Sequence, residues 1–241
     1  MDLKELETLD NLDLNTHWYY QSKANAMKKI IKDISPKKII DVGAGSGFFA
    51  KYLLKNTAVK EAYCIDINYK NNKFNFIGNK KIFYKKKMTK NNFDLLLLMD
   101  VIEHVDDDYK FLNDCLKKID FNSYILITVP AFNLLYSDHD IFLGHKRRYN
   151  LTEIELLLKK FDLKIIKKAY FFGFLFPIVA LNRLIGKFIN IGSSNPRSQM
   201  RSYNYLLNIL FAFVCKIELI FFTYNKYFGL SVFCLAQKVK K

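Results

Sequence analysis

The 241-residue sequence predicts an α/β fold, a doubly wound and mostly parallel sheet of seven strands with a helical, aromatic-rich insertion before the last strand. Two observations predict this class. Short apolar runs of strand length alternate with segments whose apolar residues recur at helical spacing. One of the runs ends in an acid and is followed by three glycines at alternate positions, typical of a strand, a tight turn and a helix. Such alternation indicates a parallel sheet that binds ligands beyond the carboxyl ends of its strands.

The glycine turn lies in the segment from Ile39 to Phe49, where Asp41 precedes Gly43, Gly45 and Gly47. Glycines permit close backbone approach to a ligand, and the following helix presents unpaired N–H groups. The segment therefore predicts a binding site for a nucleotide-like cofactor. The alternative is a glycine turn that binds no ligand. Because the spacing is not G-x-G-x-x-G, a nicotinamide cofactor is disfavoured. Asp41 is expected to orient the turn by accepting backbone N–H bonds, or else to be a solvated turn acid.

In the first half of the chain, predicted helices alternate with predicted strands. Apolar residues at helical spacing predict a helix over 15–33, and the same spacing predicts another after the glycine turn. The buried run 62–67 predicts the second strand. A weaker strand is predicted near 81–84, and the unbroken apolar run 93–99 predicts the next.

The second half continues the pattern. Three acids at 106–108 complement a helix dipole and predict a helix start, and 124–130 predicts a strand. Thr152 and Glu155 predict a capping box at the head of a further helix. The last two strands are predicted at 162–170 and 230–237.

Between those two strands lie apolar, aromatic stretches at 170–181 and 203–224. Neither is expected to span a membrane, because the first has about half of the ~20 residues required and the second carries Lys216 and Glu218 near its middle. Two interpretations stay open, a lid over the substrate cleft and an interfacial membrane contact. The predicted division is a cofactor-binding core with an N-terminal helical cover at 1–170, an apolar helical insertion at 171–226, and a final strand with a basic tail at 227–241.

Composition narrows the possible partners. The formal net charge is +15, but the lysines are scattered and no nucleic-acid recognition motif accompanies them, so nucleic acid is not expected. An anionic membrane surface is the better-supported polyanionic partner. The four cysteines lack C-x-x-C spacing, and the N-terminus lacks a signal sequence. A cytoplasmic protein is expected, either free or peripheral at the inner face of the membrane.

Three segments carry a family resemblance: 41–47, Asp66, and 100–105, which reads Asp-Val-Ile-Glu-His-Val. They resemble motifs of the class I S-adenosylmethionine-dependent methyltransferases. The segments 17–23 and 139–149 sharpen the match toward small-molecule enzymes, which include the ubiquinone-biosynthesis type and methyltransferases of bacterial surface-glycan synthesis. The resemblance runs from about residue 17 to residue 170, weakens afterwards and implies a Rossmann-like fold.

The resemblance implies that S-adenosylmethionine is the cofactor and that the glycine turn receives its amino-acid end. Asp66 would accept hydrogen bonds from both ribose hydroxyls, and it follows Gly47 at close to the ~20 residues typical of a ribose-binding acid. A strand-end acid that caps the next helix is the alternative. Lys23 would pair with the cofactor carboxylate, or else lie on a solvated helix face. The implied cofactor-binding residues are Tyr20, Lys23, Asp41, Gly43, Gly45, Gly47, Asp66, Ile67 and Asp100.

Methyl transfer is an in-line displacement, and a hydroxyl acceptor must also lose its proton. His139 and His145 follow the fifth strand, and one of them is predicted to be the base, with loop histidines that bind backbone or solvent as the alternative. Arg147, Arg148 and Tyr149 are predicted to bind the acceptor, the arginines through a phosphate or carboxylate, or else to be solvated.

Asp100, Glu103 and His104 stand at i, i+3 and i+4, so a helical turn would place them on one face. Oxygen and nitrogen donors at this spacing could hold a divalent metal. Because a fourth ligand is missing, contact with the cofactor and lining of the cleft are favoured, and no metal is predicted.

The predicted function is methylation of a hydroxyl oxygen on a small-molecule or lipid-linked acceptor. A surface-glycan or polyprenyl-linked sugar is the first choice and a quinone-type phenol the second. The alternative is a protein without catalytic activity, which binds the cofactor and serves as a partner subunit at the membrane.

Overall fold

The computed structural model describes residues 13–189 and 204–240. The elements in chain order are α1 (Trp18–Ile30), β1 (Lys38–Val42), α2 (Phe48–Asn56), β2 (Glu61–Ile65), β3 (Lys73–Ile77), β4 (Lys80–Lys85), β5 (Leu95–Met99), α3 (Asp108–Leu116), β6 (Tyr124–Pro130), α4 (Asp138–Leu143), α5 (Leu151–Lys159), β7 (Leu163–Phe171), α6 (Phe176–Ile189), α7 (Tyr205–Phe221) and β8 (Ser231–Lys238). Short 3-10 turns lie at Asn133–Leu135 and Phe222–Tyr224.

The sheet is mostly parallel, as predicted, and its strand order is β3-β4-β2-β1-β5-β6-β8-β7. The five strands from β4 to β6 are parallel, while β8 runs antiparallel to both β6 and β7. Eight strands replace the predicted seven, because β3 pairs antiparallel with β4 at the edge of the sheet. The sequence pattern missed β3 because its side chains are largely exposed and polar residues alternate with its aromatics.

The core has two layers, one on each face of the sheet. In β5, Leu95 and Leu97 pack with α1 and α2, and Leu96 and Leu98 pack with α3 and α5. Successive side chains of a strand point to opposite faces, so a strand covered by helices on both faces must be apolar throughout. This explains the unbroken apolar run that predicted β5.

One predicted capping box was wrong. At the head of α5, the side chain of Asn150 accepts from the backbone N–H of Glu153, and the Glu153 carboxylate accepts from the N–H of Asn150. The helix therefore begins two residues earlier than Thr152 and Glu155 indicated. Glu155 forms ion pairs with Lys159 and Lys168 instead.

The insertion contains α6 and α7, and α7 packs on α1. The ring centroids of Trp18 and Phe211 lie 5.1 Å apart, and the Asn208 side-chain oxygen accepts from the backbone N–H of Trp18 at 2.9 Å. The buried carboxylate of Glu218 accepts from the Gly173 N–H at 2.6 Å. Within the described residues, Tyr205–Tyr224 is long and apolar enough to cross a membrane, with a mean hydropathy of 2.0. Length and composition alone do not show that a helix crosses a bilayer, so the expectation that this stretch does not span a membrane stays a prediction.

Candidate active site

The glycine turn connects β1 to α2 and depends on backbone conformations that favour glycine. Gly43, Gly45 and Gly47 have φ values of 72°, 54° and 72°. A Cβ atom on Gly43 would lie 2.7 Å from a methyl carbon of Val101, which follows β5. The turn therefore lies at the carboxyl ends of β1 and β5, where doubly wound sheets bind ligands.

Asp66 ties the end of β2 to this turn. Its Oδ2 accepts from the Gly45 N–H, and its Oδ1 accepts from the Asn68 N–H, both at 2.9 Å. The Tyr69 hydroxyl donates to the carbonyl oxygen of Gly45 at 2.6 Å. The element after β2 is strand β3, so Asp66 does not cap a following helix and that alternative was wrong. Ribose binding stays a prediction that uses the remaining lone pairs of the carboxylate.

Asp41 is buried beneath the turn at the end of β1. Its Oδ2 accepts no hydrogen bond from the described residues. Burial, together with the nearby charge of Asp66, raises the pKa of Asp41 to about 7. Its predicted role in orienting the turn stays a prediction.

Lys23 and Asp100 form an ion pair, and the Lys23 side chain is almost fully buried. Burial by itself would lower the pKa of Lys23, but the charge of Asp100 outweighs it and the pKa is raised. Burial likewise would raise the pKa of Asp100, but Lys23 holds it below its ordinary value. Thr128 also donates to Asp100 at 3.2 Å. Both residues were predicted to contact the cofactor, and the structure pairs them with each other after the carboxyl end of β5.

The other two predicted cofactor residues differ in exposure. Tyr20 is buried in α1, and its ring lies 5.8 Å from that of Phe48 at the start of α2. Ile67 follows β2 and is 78% exposed. Tyr20 therefore packs against the helix that follows the turn, and contact of Tyr20 and Ile67 with the cofactor stays a prediction.

Asp140 is the centre of a buried polar cluster after β6. It accepts from His145 Nδ1 at 2.8 Å and from Arg148 Nε and Nη2 at 2.8 and 2.9 Å. Burial would raise the pKa of Asp140, but the hydrogen bond from His145 and the charge of Arg148 lower it well below its ordinary range. A carboxylate that stays ionised only accepts hydrogen bonds, so His145 donates from Nδ1 and its Nε2 points away from this contact.

Glu103 and His104 lie beside His145. Ligand atoms of the three residues lie within 4.8 Å of one another, and the His104 and His145 rings are 4.7 Å apart. Burial and the charge of Asp100 raise the pKa of Glu103 well above its ordinary value. The predicted helical face of Asp100, Glu103 and His104 was wrong, because residues 102–104 form a turn and Asp100 is paired with Lys23.

The predicted acceptor-binding residues have protein partners. Arg148 is buried, and its guanidinium binds Asp140 and the carbonyl oxygen of Ala131. Arg147 donates to the carbonyl oxygen of Asp106 at 2.7 Å, and Tyr149 donates to Asp108 at 2.8 Å. These contacts join the segment after β6 to the loop after β5, so the geometry gives these side chains a structural role and does not direct them at an acceptor.

His139 lies in α4, where burial and the charge of Arg183 lower its pKa to about 4. It is therefore neutral near pH 7 and a weak base. Arg183 belongs to α6, donates to the carbonyl oxygen of Leu135 at 2.9 Å and lies 3.8 Å from Asp140. The insertion thus contacts the segment that holds the histidines.

Sequence reasoning did not find the central role of Asp140, nor the contact of Tyr69 with the turn. A signal for Asp140 was present, since Ser137 and Asp140 stand at capping-box spacing ahead of α4. Nothing in the sequence indicated that the same carboxylate reaches His145 and Arg148.

Comparison with protein families gives the assignment. A family described as "Methyltransferase domain" matches residues 16–168, more than half of the chain. The chain belongs to this family. It is an enzyme, a class I S-adenosylmethionine-dependent methyltransferase, as its motifs predicted. The search of curated proteins gave no significant match.

Solved structures confirm the fold. The plantazolicin methyltransferase BpumL, in complex with SAH, matches with a TM-score of 0.54 at 13% identity, over 92% of this chain and 85% of that one. A protein from Bacillus halodurans C-125 described as a methyltransferase matches with a TM-score of 0.53 at 12% identity, over 90% of this chain and 100% of that one. At such identities the likeness concerns the fold alone.

Proposed function

We propose that this methyltransferase methylates a hydroxyl oxygen of a lipid-linked glycan precursor or a similar small acceptor. The observation that carries the proposal is the cluster of Glu103, His104 and His145, which lies after the carboxyl ends of β5 and β6. Its buried carboxylate and imidazole nitrogens can accept a proton from a hydroxyl, a group that needs deprotonation before attack.

The donor side supports the same function. The glycine turn leads into the head of α2, and the Asp66 carboxylate holds that turn through the Gly45 N–H at the end of β2. The Lys23 ammonium would provide a cation for the carboxylate of S-adenosylmethionine, and Asp100 would accept hydrogen bonds from the cofactor's amino group. Since Lys23 is already paired with Asp100, the cofactor's amino-acid end would join an existing ion pair.

The reaction itself needs little more than alignment. The acceptor oxygen forms a bond to the methyl carbon while the sulfur–methyl bond breaks and the sulfur keeps the electron pair. The products are the methyl ether and S-adenosylhomocysteine, and the hydroxyl proton leaves toward the histidine cluster. Of the two predicted bases, His145 is the better oriented, because Asp140 fixes its tautomer.

The lipid link is proposed from the faces of α6 and α7 that carry exposed apolar side chains. Residues spaced by three and four positions share a helix face. The exposed members are Ile178, Leu181 and Ile185 in α6, and Leu206, Leu210, Phe213, Ile217 and Ile220 in α7. With a net charge of +15, the partner of such a face is an anionic bilayer surface. A helix that packs on α1 and holds a buried Glu218 is suited to lie on the bilayer, not to cross it.

Binding and transfer are tested in two steps. Calorimetry with S-adenosylhomocysteine and with NAD should show binding of the first alone, and the reverse would contradict the donor site. Methyl-labelled S-adenosylmethionine is then supplied with lipid-linked glycan, quinone and water-soluble extracts. Label in the glycan fraction supports the proposal and label in the quinone fraction replaces it with a phenol acceptor. Cofactor binding without any labelled product favours the non-catalytic alternative.

Flotation with anionic and neutral liposomes tests the membrane surface. Replacement of Leu210, Phe213 and Ile217 by serine should reduce recovery with anionic vesicles. The control replaces Phe74 and Phe76, which are exposed on β3, by serine. Equal recovery of both variants would rule out the proposed surface, and resistance to extraction with carbonate would show a crossing helix instead.

A further inference from the structure

The environment of Glu103 is unusual for a carboxyl group. Its side chain is fully buried, and neither carboxylate oxygen has a hydrogen-bond partner among the described residues. Buried polar groups almost always have partners, because an unsatisfied one retains its full desolvation cost. A bound cation would supply the partner that the described protein groups do not give to Glu103.

The neighbours of Glu103 are metal-ligating side chains. Its carboxylate and the ring nitrogens of His104 and His145 provide three ligand atoms within 4.8 Å of one another. An ion with bonds of about 2 Å holds its ligands roughly 3 to 4 Å apart. Side-chain rotations that move each ligand atom by about 1 Å would bring the three atoms to this separation. One carboxylate oxygen and two imidazole nitrogens suit a transition-metal ion such as Zn²⁺ better than Mg²⁺ or Ca²⁺, which prefer oxygen ligands.

His145 is already oriented as metal ligands usually are. Its Nδ1–H donates to the Asp140 carboxylate, so Nε2 is available to an ion. Asp140 is itself fixed by two hydrogen bonds from Arg148. A carboxylate behind a histidine sets the tautomer and strengthens the ligand in many metal sites. A second, independent feature of the fold therefore supports ligation by this residue.

We infer that Glu103, His104 and His145 form a binding site for one divalent transition-metal ion of the Zn²⁺ class. The site differs from the set that sequence spacing suggested, because Asp100 belongs to the ion pair with Lys23 and His145 takes its place. With three protein ligands, the ion keeps an open position. A hydroxyl bound there would lose its proton more readily, a consequence that rests on the proposed function, whereas binding of the ion does not.

The test is calorimetric titration of the chelator-treated, full-length protein with ZnCl₂ and with MgCl₂, in the absence of cofactor and acceptor. We expect one equivalent of Zn²⁺ to bind and Mg²⁺ to bind at least 100-fold more weakly. Glu103→Gln and His145→Gln should each weaken Zn²⁺ binding by 100-fold or more. Asp106→Asn, an exposed carboxylate on the same loop, is the matched control and should bind as the parent does.

Titration with Co²⁺ gives a second readout that does not depend on activity. A visible absorption band of the parent protein should be lost or shifted in Glu103→Gln, while thermal unfolding checks that the variant is folded. Absence of one-equivalent Zn²⁺ binding in the parent, or equal affinity in all variants, would overturn the inference. Because no acceptor is present, failure of methyl transfer would leave this result unaffected.

Discussion

The two ends of the active site are built in different ways. The donor end depends mainly on backbone, since the turn from Gly43 to Gly47 needs positive φ values and its Gly45 N–H binds the Asp66 carboxylate at the end of β2. The acceptor end consists of side chains from separate loops, and buried charges such as Asp140 hold it together. A backbone site depends on which residues can adopt its conformation. A side-chain site depends on which charges are brought together when the chain folds.

The largest effect is expected where the two ends meet, at the Lys23–Asp100 ion pair. Lys23→Met leaves the partly buried carboxylate of Asp100 without its cation, so the free energy of unfolding should fall by about 3 kcal/mol, the low end for a broken buried ion pair. Denaturant unfolding measures this. Lys23→Met combined with Asp100→Asn should recover most of the loss, because asparagine carries no charge and tolerates the positive φ of 56° at this position. A double variant as unstable as the single one would show that packing, not charge, holds the junction.

The acceptor end should depend on one histidine more than on the other. His145→Gln is expected to lower the rate of methyl transfer by 100-fold or more, whether His145 accepts the proton or binds an ion. His139→Gln should lower it by less than 10-fold, because the low pKa of His139 makes it a weak base. Initial rates with labelled S-adenosylmethionine compare the two. If His139→Gln has the larger effect, the base is on α4.

The donor end should fail through backbone geometry alone. Gly43→Ala combines a positive φ with a Cβ 2.7 Å from Val101, so binding of S-adenosylhomocysteine should weaken by at least 10-fold. Gly78→Ala is the matched control, because its φ is +60° and a Cβ there meets nothing within 4 Å. It should cost about 1 kcal/mol of stability and leave binding unchanged. Equal binding by both variants would show that the turn can shift to accept a side chain.

Asp41 gives a smaller, pH-dependent effect beneath the turn. Its folded-state pKa of about 7 lies above the ordinary value of 3.8, so the folded state binds the proton more tightly than the unfolded state. Its contribution to stability is therefore full below pH 3.8 and is lost as the pH rises through 7. Between pH 5 and pH 8, titration of Asp41 should lower the free energy of unfolding by about 2 kcal/mol. Unfolding of Asp41→Asn over the same range should lack this loss, and parallel curves for the two proteins would show that Asp41 is not the titrating group.

Local features of the donor end and the sheet could be predicted from the sequence, whereas the side-chain contacts of the acceptor end could not. The parallel strands and the glycine turn were predicted because apolar periodicity and glycine spacing are local patterns. Edge strand β3 was missed because an exposed strand has no apolar run. The α5 cap was shifted by two residues because Asn150 and Thr152 are both acceptable caps, and only the main-chain hydrogen bonds distinguish them.

The sequence by itself determined the fold class, the donor turn and the family, because each depends on residue types within a few positions of one another. Only the tertiary structure decided that Lys23 pairs with Asp100 and that His145, not Asp100, joins Glu103 and His104. It also decided that the Arg148 guanidinium donates hydrogen bonds to the Asp140 carboxylate. Electrostatic pairing depends on distance in space, and a carboxylate has no preference for partners that are near in sequence.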